Sequence, residues 1–142
     1  MSPSPLARLR KLCLALPEAR EVEAWGAPTF RVKTMFASYV DPESPYSDGR
    51  ASVWVKALQA NQDFLIGADP KRFFVPPYVG VRGWIGVFLD DQTDWGELQD
   101  LLWDAWRMSA GKKLAAKHPQ NPTNEKTSPT SNVQDRPAST RG

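Results

Sequence analysis

The sequence predicts an α+β fold: an antiparallel sheet of about five strands packed by an N-terminal and a C-terminal helix. Apolar residues recur at three- and four-residue steps near the start and again after residue 94, which is the helical period. Between those stripes lie short β-branched and aromatic runs. Pro, Gly, Asp and Ser separate these runs, so the strands fall together between flanking helices.

Ser4-Pro5 opens the first helix, with a side-chain acceptor at the cap and proline at the first helical position. Leu6, Leu9, Leu12, Cys13 and Leu16 form its apolar stripe. Arg8, Arg10 and Lys11 fall off the stripe as a solvated face, and Pro17 ends the helix. Residues 21–28 read as a connection carrying two acids and an anchoring Trp25. Strands are expected at residues 29–32 and 35–40, joined at Lys33-Thr34, with the second alternating imperfectly. Residues 41–50 form an exposed loop by their turn residues.

A third strand is expected over 51–58, with Val53, Val55 and Ala57 on one face and Trp54, Lys56 and Leu58 on the other. A short helix follows over 59–66, stopped by Gly67 and Pro70. Residues 71–75 are extended. The longest apolar run, 76–90, opens on the breaker Pro76-Pro77 and reads as the main strand, with Tyr78, Arg82, Trp84 and Phe88 sharing one face. Gly80, Gly83 and Gly86 in that run imply a bulge or a close backbone approach. A phosphate-cradling loop would need a helix turn directly after the glycines, whereas here the strand pattern continues. Asp94 or Thr93 caps the last helix, whose stripe is Leu98, Leu101, Leu102, Ala105 and Met108/Ser109, flanked by Trp103 and Trp106. Six acids between Asp90 and Asp104 precede Arg107, Lys112, Lys113 and Lys117, an order that suits the helix macrodipole.

Residues 1–117 are expected to form one domain, and the Pro-, Ser-, Thr- and Asn-rich segment 118–142 to be a disordered tail. The net charge is +2, which lacks the basic excess of a strong nucleic-acid binder. One cysteine excludes an internal disulfide, and one histidine, His118, excludes a multi-histidine metal site. Nucleotide-binding and kinase signatures are absent, so no catalytic residue, cofactor or metal is implied. No apolar run spans a membrane, and no signal sequence is recognisable, so a cytoplasmic protein is expected.

The chemistry that remains is a set of cations and aromatics on strands. Arg31, Lys33, Lys56, Lys71, Arg72 and Arg82, with Trp84, are the candidate nucleic-acid contacts. Trp54/Lys56 and Arg82/Trp84 each lie two apart and so would share a strand face. The structural alternative is that the tryptophans are core and the cations extend past them to water. A small-ligand or protein-binding face lined by Trp54, Tyr78 and Trp84, with Arg82 as polar anchor, is the second functional expectation.

The chain resembles the MmcQ/YjbR family of small bacterial proteins. The resemblance is carried by Leu14-Ala15-Leu16-Pro17-Glu18-Ala19, Gly26-Ala27-Pro28-Thr29-Phe30-Arg31-Val32, Met35-Phe36-Ala37 and Val55-Lys56. It continues through residues 73–80, Gly83-Trp84-Ile85-Gly86-Val87, Leu89-Asp90 and 94–107, where Trp106 stands at a position commonly Tyr. It implies a CyaY-like, or double-wing, arrangement and a DNA-binding role. That role rests on fold likeness, and the resemblance supplies no catalytic residues.

Overall fold

The computed structural model of the chain describes residues 4–122, so the segment from 123 onward lies outside the described residues. The helices are α1 (Pro5–Leu14), α2 (Gln59–Ala68), α3 (Trp95–Ala110) and α4 (Lys112–Lys117). The strands are β1 (Arg20–Ala24), β2 (Ala27–Arg31), β3 (Met35–Val40), β4 (Ser52–Val55), β5 (Phe73–Phe74) and β6 (Ile85–Phe88). Together the strands make one six-stranded sheet in the order β1-β2-β3-β4-β6-β5, antiparallel at every pairing. The α+β architecture, with its sheet and terminal helices, is as expected, with one strand more. None of the described helices is long and apolar enough to cross a membrane.

The apolar stripes bury as their spacing requires. Leu9 and Cys13 of α1, and Leu98, Leu102, Ala105 and Trp106 of α3, pack on Phe30, Ala37, Val53, Val55, Phe73, Ile85 and Val87 from the sheet. Trp103 and Trp106 stack 4.9 Å apart inside this core. Trp106 Nε1 donates to the Pro17 carbonyl at 2.9 Å, which ties α3 to the chain leaving α1. Of the Met108/Ser109 pair, Ser109 is buried and Met108 is exposed. Cys13 is completely buried, and that burial pushes its thiol pKa well up. His118 stands edge-on to Trp106, and Asn121 is buried.

Four expectations are corrected or explained. Residues 20–24 form a strand, β1, which pairs with β2 from Arg20↔Arg31 to Ala24↔Ala27. Trp25 and Gly26 make the two-residue turn, both at positive φ (51° and 77°), the pattern of a type I′ hairpin. The imperfect alternation of 35–40 is a bulge: Phe30 faces Ala37 while Arg31 faces Met35, so Phe36 is the extra residue.

The third correction concerns 78–90, which is not one strand. Tyr78 (φ 66°) and Gly83 (φ 95°) bracket a 3₁₀ turn over Val79–Arg82, and β6 covers only Ile85–Phe88. Positive φ at both ends, left-handed at Gly83, turns the chain before the strand can begin. Gly86 is a close approach, because a Cβ there would enter the ring of Phe74. Finally, the last helical region breaks at Gly111 (φ 86°), so α3 and α4 are separate.

Candidate functional site

Sheet register sorts the candidate residues into two ends. Arg31 closes β2, Met35 opens β3, Val55 closes β4 opposite Ile85, and Ile85 opens β6. Lys33, Lys56 and Trp84 therefore leave the same end of the sheet as Arg31. Lys71 and Arg72 lie at the opposite end, where the Arg72 carbonyl accepts from Phe88 N at 3.1 Å.

Lys56 sits at the centre of the first end. Its backbone N–H donates to the Phe36 carbonyl at 3.0 Å, which continues the β3–β4 ladder by one residue. Its Nζ donates to Ser109 Oγ at 2.7 Å and Thr34 Oγ1 at 3.0 Å. The ammonium therefore turns beneath the C-terminal end of α3 and does not stand beside Trp54, as strand alternation had implied. It lies 5.9 Å from the centre of the Trp84 ring. Burial, and then the nearby Arg82 charge, hold its pKa below the usual lysine value. No carboxylate pairs with it among the described residues.

Around Lys56 runs an open groove of about 540 Å³, lined by Ala57, Leu58 and Asn61 on one side and Leu101, Asp104, Arg107, Met108 and Lys112 on the other. Burial raises the Asp104 pKa, against the lowering pull of Arg107. Lys33 is exposed, and its Nζ reaches to 2.9 Å from where a Cβ on Gly111 would lie. Any side chain at Gly111 would displace it. Arg82 is exposed at the end of the 3₁₀ turn. Gln62 of α2 holds that turn, because its buried Nε2 donates to Gly80 O at 2.8 Å and Trp84 O at 2.7 Å.

Five of the seven nucleic-acid candidates, Arg31, Lys33, Lys56, Arg82 and Trp84, thus share one end. Trp84 is only 5% exposed, so it flanks Lys56 and offers no stacking surface. Arg31 lies along the sheet with its Nε on Thr29 Oγ1 at 3.2 Å. Arg72 is committed elsewhere, at 2.7 Å to Asp69 and 2.8 Å to Glu97, and those acids raise its pKa. Sequence reasoning assigned Arg107 and Lys112 to the helix macrodipole alone. A helical cation's position over a groove follows from tertiary packing, which local spacing does not report.

The ligand-face candidates divide as well. Trp54 lies on the sheet face opposite the α1/α3 core, where its register partner is Gly86. Tyr46 links it to Tyr78 through edge-on contacts of 6.2 Å and 5.8 Å. Arg82 and Trp84 belong to the Lys56 end. The same open face carries Phe74 stacked on Phe88 at 4.6 Å, with the Arg50 guanidinium 3.5 Å above Phe88.

An all-antiparallel sheet with α1 and α3 on one face and a basic groove at one end defines a small α+β domain of a recognisable kind. The chain belongs to the YjbR family, whose model matches residues 14–108. It is similar in structure to the Deinococcus radiodurans protein DR2400, whose crystal structure carries a DUF419 domain. That likeness covers 87% of this chain and 89% of that one, with a TM-score of 0.62 and 19% identity, and it speaks for the fold. No curated protein matches the chain.

Proposed function

We propose that the chain is a non-enzymatic, cytoplasmic DNA-binding domain that grips phosphates at the Lys56 end of its sheet. The observation that carries this reading is the Lys56 ammonium, half-buried in a basic groove and held only by hydroxyls. A partly desolvated cation without a paired carboxylate favours an incoming anion, and Lys33, Arg82, Arg107 and Lys112 outnumber the one acid of the groove, Asp104. Phosphate contacts of this kind position a duplex without reading its sequence. With a net charge of only +2, affinity falls in the non-specific range, a Kd of about 10⁻⁵ M at physiological salt.

Fluorescence anisotropy of a labelled duplex across a salt series tests this. Five phosphate contacts, one from each of Lys33, Lys56, Arg82, Arg107 and Lys112, give a log–log salt slope of about −4.5. Lys56→Ala combined with Arg82→Ala lowers affinity by about tenfold or more, whereas Lys71→Ala, at the far end, leaves it unchanged. Absence of binding at low salt, or equal loss from Lys71→Ala, overturns the proposal.

A further inference from the structure

Away from the basic end, beside the β1–β2 hairpin, lies a second cleft of about 560 Å³. Trp25 and Tyr46 line it, as do Trp54, Asp41 and Glu43. Two features set it apart from an ordinary surface dip. Trp25 is 92% exposed and sits at a positive φ, so a large indole occupies a position that Asn or Gly would fill with less strain. The cleft is lined by two acids and by no lysine or arginine, and neither acid pairs with a cation among the described residues.

We infer that this cleft binds a small organic cation, a methylated ammonium. A methylated ammonium is weakly hydrated and is attracted to aromatic rings, and Trp25, Tyr46 and Trp54 all line this one cleft. Asp41 and Glu43 add long-range attraction for positive charge and disfavour anions. An ordinary apolar ligand would use the rings but not the acids. This inference is independent of the DNA reading, because it uses none of the same residues.

The test is proton–nitrogen NMR of the tryptophan indoles in the full chain, titrated with choline. The comparison ligand is the uncharged isostere of choline, in which a quaternary carbon replaces the nitrogen. Choline is expected to move the Trp25 and Trp54 indole signals with a Kd of about 1 mM. Trp25→Ala, at an exposed turn, weakens it by about tenfold, and Asp41→Asn with Glu43→Gln weakens it by about threefold. Equal binding of the isostere, or a choline Kd unchanged by Trp25→Ala, overturns the proposal, as does the absence of any shift.

Discussion

An ammonium held by two hydroxyls and no carboxylate sits uneasily in a fold, and Lys56 carries that cost for the sake of its position. In the folded chain its proton leaves below the ordinary value of 10.5, chiefly because burial disfavours the charged form. The unfolded chain holds that proton up to about 10.5. Between the two values the unfolded state binds more protons, so stability rises with pH across that window. Below the window the buried charge works against folding. Lys56→Met removes the charge, and its stability relative to wild type should decline as pH rises toward 10.5 and level off above it. The change stays below about 1 kcal/mol, because the group keeps contact with solvent. Urea midpoints measured across the alkaline range check this, and a pH-independent difference would contradict it.

At the scale of elements, α2 matters less for its own apolar face than for Gln62, whose amide spans both ends of the 79–84 segment. Gln62→Ala leaves the buried Trp84 carbonyl without this donor, while the Gly80 carbonyl keeps the Gly83 N–H at 3.0 Å, and should cost about 1–3 kcal/mol. It should also loosen Arg82, so DNA affinity falls even though Gln62 carries no charge. Thermal unfolding and anisotropy together test this, and an unchanged affinity in a folded Gln62→Ala would disconnect α2 from the groove.

Helices α1 and α3 were legible from their stripes because burial of a helical face leaves a period in the sequence. β1 was not, since Glu21 and Glu23 alternate with small apolar residues and the hairpin turn carries Trp25 where Asn is usual. Residues 78–90 misled for the opposite reason. An apolar, glycine-spaced run suits a 3₁₀ turn and a strand equally, and nothing local announces the positive φ of Tyr78. For the site, the charges of Lys33, Lys56 and Arg82 were legible. The direction of Lys56 depends on Ser109, which lies 53 residues away.

For the molecule as a whole, the sheet separates two chemistries. Cations gather where β2, β4 and β6 meet the Lys33 turn, while aromatics and acids gather beside the Trp25 hairpin. Sites that share no partners behave additively. Lys56→Ala with Arg82→Ala should therefore leave choline binding unchanged, and Trp25→Ala should leave DNA affinity unchanged. A double-mutant cycle reads this directly. An interaction above about 0.5 kcal/mol would show that the two ends communicate through the strands.

The strand order leaves β1 and β5 on the outside, each with a row of amides and carbonyls that another chain could extend. The two borders deter such recruitment differently. β5 is two residues long, too short to template a neighbour. β1 presents Arg20, Glu21 and Glu23 in alternation with its apolar residues, and Arg10 grips Glu21 at 2.6 Å and 2.9 Å from α1. A second copy aligning antiparallel there would bring acid against acid. The charges that hid β1 as a strand thus make its edge a poor template for a second copy.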